Sequence, residues 1–179
     1  MGYGTPVAGL NCAPTAFGRH EVFAYCLPVF EEAFVNGGAW NAMCSYNSID
    51  GQPVASDREL LTDVLRGQYR MPGFVRTDLT AVSRLYNDHY TAPSPQEAIR
   101  QGLEAGVDLQ LYDFTHEEWE NGIKSLIETG KMSEAVLDQA CGRVLKLKFA
   151  LGLFEYPYVD ESLYENCLLY TSPSPRDCS

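Results

Sequence analysis

Met71-Pro-Gly-Phe-Val-Arg-Thr-Asp-Leu79 is the stretch on which the reading of this 179-residue chain turns. Phe74, Val75, Arg76 and Thr77 read as a short strand entered through the Pro72-Gly73 turn signal, and Asp78 stands where that strand ends. In an α/β protein, a carboxylate at the carboxyl end of a parallel strand points into the face where active sites are built. Asp is also a good helix N-cap, and on the local residues alone a cap is the commoner use of such a position. The neighbouring segments decide between the two.

Upstream, Asp57 is expected to cap a helix reaching about Tyr69, with Leu60, Leu61, Val64 and Leu65 as its apolar stripe. Before it, 45–56 reads as a loop carrying the turn pair Asp50-Gly51, and 39–44 as a short buried strand. The spacing of Phe23, Leu27, Phe30 and Phe34 predicts a helix over 21–36, kinked or delayed by Pro28 and stopped at Gly37-Gly38. Residues 1–18 are rich in Gly, Pro and Thr and read as a loop. Downstream, Ser94-Pro95-Gln96-Glu97 predicts a capping box and a helix to Ala105, ended by Gly106. Val107 to Leu111 is expected as a third strand. Thr115-His116-Glu117-Glu118 opens a helix through Trp119, Ile123, Leu126 and Ile127, stopped by Gly130, and Ser133 begins a long last helix to Gly152. Strands alternate with helices, which predicts an α/β fold with parallel strands and right-handed crossovers. A complete (β/α)8 TIM barrel needs eight strands in about 250 residues. Three strands amount to a partial barrel with unpaired edges.

At 45% hydrophobic and 21% charged, the composition is that of an ordinary globular protein. No run approaches the roughly 18 apolar residues of a membrane span, and no basic segment leads into an apolar one as in a signal peptide. The formal net charge is −11, from 24 acidic and 13 basic residues, which disfavours nucleic acid as a partner. A neutral sugar is indifferent to it. None of the six cysteines forms a CxxC pair and no His lies at zinc-finger spacing, so no metal site is expected. Cys26, Cys44 and Cys141 read as buried free thiols. Nothing arranges His20, His89 and His116 with a Ser or Cys as a triad. His116 reads as an exposed cap residue, and His89, in the loop after the Asp78 strand, could reach the pocket mouth. Asp108, ending the third strand, suits structural hydrogen bonding better than catalysis.

Taken together, several segments resemble the catalytic barrel of glycoside hydrolase family 3. Met43-Cys-Ser-Tyr-Asn-Ser-Ile-Asp-Gly-Gln-Pro53 is similar to that family's M-x-x-Y-N-x-x-x-G-x-P loop. Leu60-Leu-Thr-Asp-Val-Leu-Arg66 and Gly73-Phe-Val-Arg-Thr-Asp78 resemble its L-L-x-x-x-L-R and G-F-V-x-S-D. Ala105-Gly-Val-Asp108 follows, and Arg143-Val-Leu-Lys-Leu-Lys-Phe-Ala-Leu-Gly-Leu-Phe154 looks like the run with which the family leaves the barrel. The resemblance spans about residues 8–160. It implies that Asp78 is the nucleophile of a retaining β-glycosidase and that Tyr46 lies beside it. Met43, Leu79 and His89 are the further expected substrate-binding positions, and no cofactor or metal is expected. Asn47 and Asp50 are expected to shape the turn rather than touch substrate.

The implied activity is exo-acting hydrolysis of O-glycosyl bonds, a β-glucosidase of carbohydrate catabolism acting on an oligosaccharide or β-glycoside. β-Xylosidase and β-N-acetylhexosaminidase of the same family are alternatives, as is a non-catalytic sugar-binding or structural remnant. Leu79 stands where family members that cut β-glucosides commonly carry Trp, and Met43-Cys-Ser-Tyr-Asn47 echoes the β-xylosidase branch. The family's sugar-binding Lys-His pair would precede Met1, and no residue here is a candidate for the general acid/base. Residues 1–160 are therefore expected to be the C-terminal half of the barrel domain with its exit helix, the other barrel half and a C-terminal domain belonging to the parent. Residues 161–179 read as a linker or a sequencing-adapter-like tail. Half a barrel exposes strand edges and core, so the isolated chain is expected to bind hydrophobic dyes and to melt without cooperativity. Calorimetry with sedimentation checks this, and a sharp melt as a monomer would refute it.

Overall fold

A computed structural model describes residues 7–163; Cys167, Cys178 and most of the expected tail lie outside the described residues. The described residues form two compact units, one up to Leu147 and one from Lys148 onward. The first unit holds strands β1 (Ala42–Cys44), β2 (Ser48–Ile49), β3 (Gln52–Pro53) and β4 (Val75–Thr77), with helical segments between β3 and β4. β1 and β4 pair in parallel, with Ala42 opposite Val75, Met43 opposite Arg76 and Cys44 opposite Thr77. Gly73 is required at the entry to β4, because a Cβ there would lie 1.9 Å from the Trp40 carbonyl oxygen.

The third expected strand shrinks to one parallel bridge between Arg76 and Leu109. The reason lies in Asp108. Its carboxylate takes the Val75 N–H at 2.8 Å, while the Asp108 and Leu109 N–H groups both go to the Val75 carbonyl. A side chain thus replaces a backbone acceptor, and the ladder does not propagate.

The strands carry a period of two. Cys44, Val75 and Thr77 are buried against the helices, whereas Met43 and Leu109 are 49% and 41% exposed on the other face with Arg76 between them. This is the α/β layout of part of a (β/α)8 barrel, and the uncovered face is the one that closure would turn inward.

Helix starts follow the sequence closely. Asp57 Oδ1 accepts the Leu60 N–H at 3.1 Å, and Glu59–Gln68 buries Leu60, Leu61, Val64 and Leu65. That helix is π-wound and closes with a bond from Tyr69 N–H to the Val64 carbonyl at 2.9 Å. The first helix, 19–36, alternates α and π turns (Arg19–Glu21, Val22–Cys26, Leu27–Glu31, Glu32–Asn36). Pro28 does not delay its start; it falls where the π turn Val22–Cys26 gives way to the α turn Leu27–Glu31. Thr115 and Glu118 form a full reciprocal capping box ahead of His116–Glu128. Ser94 caps Pro95–Ala105 through the Glu97 N–H, but Glu97 turns to Arg100 instead of closing the box. The β2–β3 hairpin and the helical turn Arg84–Asn87 were among the elements not anticipated. The hairpin turns on Asp50 and Gly51, both at positive φ.

One cluster of buried side chains, including Val64, Val75, Val82 and Leu85, fills the space between strands and helices. A second joins Ile99, Leu103, Ile123, Leu126, Met132 and Ala140. Cys44 is buried as expected, but Cys26 is only half-buried and Cys141 is exposed, because the stripes that bury these helices pass to one side of them. In the second unit, Gly152 takes a left-handed conformation after the end of Glu134–Ala150, and the Phe149 and Phe154 rings pack 4.4 Å apart.

Asp108 also receives two guanidinium groups, Arg66 from Glu59–Gln68 and Arg143 (2.8 Å) from Glu134–Ala150. Its side chain is wholly buried. Removing one partner of a buried ionic cluster leaves uncompensated charge. Asp108→Ala is expected to cost about 3–5 kcal/mol. Urea unfolding of the longest natural protein that carries these residues measures this, and a loss below about 1 kcal/mol, the range of exposed pairs, would overturn the assignment.

Candidate functional site

Asp78 stands at the carboxyl end of β4. Its N–H donates to the Cys44 carbonyl at 3.4 Å, carrying the β1–β4 ladder one residue further. Its Oδ1 accepts the N–H of Leu79 at 2.7 Å. The helix-cap role is not adopted: the next regular helix is Arg84–Asn87, and it starts behind Ser83.

Thr77, fully buried beneath Asp78, donates its hydroxyl to Asp113 Oδ2 at 2.6 Å and accepts the Leu111 N–H at 2.7 Å. The other Asp113 oxygen accepts the Val82 and Ser83 N–H groups. One buried carboxylate therefore fixes the turn that leaves Asp78. Burial pushes the Asp113 carboxyl above its usual range, while these donors pull it back. Within the same turn Thr80 is held at φ 65°, a left-handed conformation costly for a β-branched residue, and its N–H bonds the Leu111 carbonyl.

Tyr46 follows β1 and is half-buried beside Asp78. Burial raises its phenol above the ordinary range, and the Asp78 carboxylate, as acceptor and as negative charge, raises it further. The phenol is therefore a proton donor facing an acceptor, although no bond of standard geometry joins them yet. The Arg84 guanidinium lies 4.7 Å from the centre of the Tyr46 ring. His89 places Nε2 on the Tyr46 carbonyl at 2.8 Å.

Met43, opposite Arg76 on the β1–β4 pair, and Leu79, which follows Asp78, are 49% and 48% exposed. Asn47 is buried, takes the Ser45 hydroxyl and donates to the Ser48 carbonyl, so it shapes the turn as expected. His116 is almost fully exposed, far from any buried network. Burial pushes the Cys44 thiol up to about 12, which makes it an inert packing group under Asp78. Among the described residues no group of three or more His, Cys, Asp or Glu is placed to hold a metal, and no helix is long and apolar enough to cross a membrane.

Two contributors escaped the sequence reading. Asp113 lies in a loop where an Asp reads as solvent-exposed, and Arg84 carries no motif.

A family model described as "Glycosyl hydrolase family 3 N terminal domain" matches residues 1–147. A putative beta-xylosidase of Formosa agariphila is 35% identical over 159 residues, 89% of this chain and 21% of that protein. A β-glucosidase structure from Erythrobacter marinus superposes with a TM-score of 0.82 at 36% identity, covering 90% of this chain and 21% of that one. A β-glucosidase from Listeria innocua in complex with glucose gives a TM-score of 0.78 at 38% identity, over 87% of this chain and 21% of that one. The chain spans about a fifth of the length of the curated relatives it matches.

The elevated Asp113 has a signed consequence. The native state holds this proton more tightly than the unfolded chain, so the group favours the fold at acid pH. That contribution is lost as pH rises from the ordinary carboxylate range through the native value. Asp113→Asn cannot titrate, and its amide would oppose the Leu111 N–H. The stability difference between wild type and Asp113→Asn is expected to shrink as pH rises across that window. Thermal midpoints of the longest natural protein at graded pH check this, and a widening difference would show that the donors outweigh burial.

Proposed function

The chain belongs to glycosyl hydrolase family 3, and we propose that it carries the nucleophile-bearing part of a retaining, exo-acting β-glucosidase with Asp78 as the nucleophile. The observation that carries this reading is the placement of Asp78: a carboxylate at the carboxyl end of a parallel strand, beside a phenol that keeps its proton. In that reading, an Asp78 carboxylate oxygen attacks the anomeric carbon of a terminal β-linked glucose and the aglycone oxygen departs with a proton. The resulting α-glycosyl ester is then hydrolysed by water, returning the β-configured sugar. Tyr46, whose phenol keeps its proton beside Asp78, is the donor assigned to this carboxylate. Met43 and Leu79 offer apolar contact to the sugar, and His89 acts on the pocket through the Tyr46 backbone.

The leaving oxygen needs an acid. Asp113 is sealed by four donors and Asp88 is held by Arg84, so neither serves. The acid/base is assigned to residues outside the described part of this chain. The same assignment makes residues 1–160 the C-terminal half of the barrel with its exit helix, and 161–179 a linker or tail. No cofactor enters these steps.

A second reading, β-xylosidase, is favoured by the Formosa relative and by Leu79 at the position flanking the nucleophile. A xylose ring lacks the hydroxymethyl group, so specificity there rests on a few apolar contacts.

The test uses the longest natural protein that carries these residues. Aryl 2-deoxy-2-fluoro-β-glucoside and β-xyloside are expected to trap an ester that peptide mapping places on Asp78. Asp78→Ala is expected to lower hydrolysis by at least about 10³-fold, with azide restoring turnover as the α-glycosyl azide. A label on another carboxylate, or an Asp78→Ala protein with ordinary activity, would sink the assignment. The relative rates on the two glycosides decide between glucose and xylose.

A further inference from the structure

Arg84 is gripped by three segments at once. Its guanidinium carbon lies over the Tyr46 ring, 4.7 Å from the centroid. Its Nη1 donates to Asp88 Oδ2 at 2.9 Å, one helical turn along, and to Cys12 Sγ at 2.8 Å. Cys12 belongs to the loop anchored by Thr15, whose N–H and hydroxyl both bond the Ser48 carbonyl at 2.8 and 3.0 Å. The plane of Arg84 is therefore set by the early loop and by Asp88, and Tyr46 stacks on a plane it does not itself define. Five residues along, His89 holds the Tyr46 carbonyl at 2.8 Å. The ring and the backbone of Tyr46 are each fixed by the segment that follows Asp78.

We propose that Arg84 and His89 are positioning residues that hold the Tyr46 hydroxyl against Asp78, so that the nucleophile and its hydrogen-bond donor are built as one unit. The inference rests on Asp78 being the nucleophile. Neither Arg84 nor His89 touches the reacting atoms in this arrangement. Both act through Tyr46.

Two effects follow from the stacking. A cation on the ring face restrains rotation of the ring about its axis and tilts it by no route except breaking the Asp88 and Cys12 contacts. The positive charge also draws electron density from the phenol and makes its hydroxyl a better donor to a carboxylate. Asp78 pushes the phenol the other way, as a negative charge beside it. The groups facing Tyr46 are Asp78, Arg84 and Cys12, with Asp88 behind Arg84. Their balance keeps the phenol protonated through neutral pH while sharpening its donation. When the glycosyl ester forms and breaks, charge on the Asp78 oxygens falls and returns, and a fixed donor stabilises the returning carboxylate.

The experiment compares wild type, Arg84→Met and Arg84→Lys in the longest natural protein that carries these residues, with rates expressed per active site titrated by the fluoroglycoside. Arg84→Met removes charge and plane at similar volume, and is expected to lower kcat per titrated site about tenfold, the kinetic equivalent of one hydrogen bond, with KM within about twofold. It is also expected to move the alkaline limb of the kcat profile upward, because the phenol loses its cation. Arg84→Lys keeps the cation but not the plane, and is expected to fall between wild type and Arg84→Met in kcat per titrated site. A residue needed only for folding would lower the number of titrated sites and leave kcat per site and the alkaline limb unchanged; that result overturns the proposal. So does equal loss in Arg84→Lys and Arg84→Met. If wild type itself is not labelled at Asp78, the nucleophile assignment falls and this inference falls with it, whereas labelling with unaffected variants overturns the positioning role alone.

Discussion

The buried carboxylate of Asp108 is the constraint on which the rest of the arrangement depends. It joins the Val75 N–H of β4 to guanidinium groups from two helices far apart in sequence, Glu59–Gln68 and Glu134–Ala150. Burial lowers the Arg66 guanidinium and Asp108 opposes that, so each ion is tolerable only because the other is there. Arg66 also donates to the Gly106 and Gly73 carbonyls, which ties the entry of β4 to the turn before the Leu109 bridge. The cluster holds strand, turn and two helices in one geometry, and by taking over the Val75 N–H it shortens the third strand to a single bridge.

On that frame the site is assembled at the opposite end of β4 by a second buried carboxylate. Asp113 does for the turn after Asp78 what Asp108 does for the entry to the strand: it supplies acceptors where backbone N–H groups have no ladder to join. Neither group takes part in the chemistry proposed for Asp78. Their work is to make the short strand end rigid, so that a carboxylate and a phenol from neighbouring strands meet at a defined spacing. The strain held at Thr80 is consistent with a turn shaped by what it must present rather than by its own preference.

The sheet also explains why so much apolar surface is uncovered. Met43, Arg76 and Leu109 occupy one row across three segments, on the face that a closed barrel would line with side chains from its remaining strands. The helix-side face is as tightly buried as any protein core, with Cys44, Val75 and Thr77 at 1% exposure or less. A single sheet thus has one finished face and one open face, as part of a (β/α)8 barrel must.

Much of this was legible in the amino-acid sequence because its causes are local. Asp57 and Thr115 cap helices through N–H groups three residues away, Asp50-Gly51 makes a turn from its own dihedrals, and the Pro72-Gly73 turn signal marks the entry of the strand that ends at Asp78. The family motifs point to Asp78 and Tyr46 for the same reason, since they record residues close in the chain. Other features depend on groups 30 or more residues apart. The Asp108 contacts that cut the third strand short, the Asp113 contacts under the nucleophile position and the Cys12–Arg84–Tyr46 stack all join such groups. No periodicity or spacing encodes them, because a buried charge finds its partner only after the chain has packed. The sequence by itself determined the order of elements and which carboxylate ends the strand. Tertiary structure alone decided which polar groups lose water together, and that loss is what selects their partners.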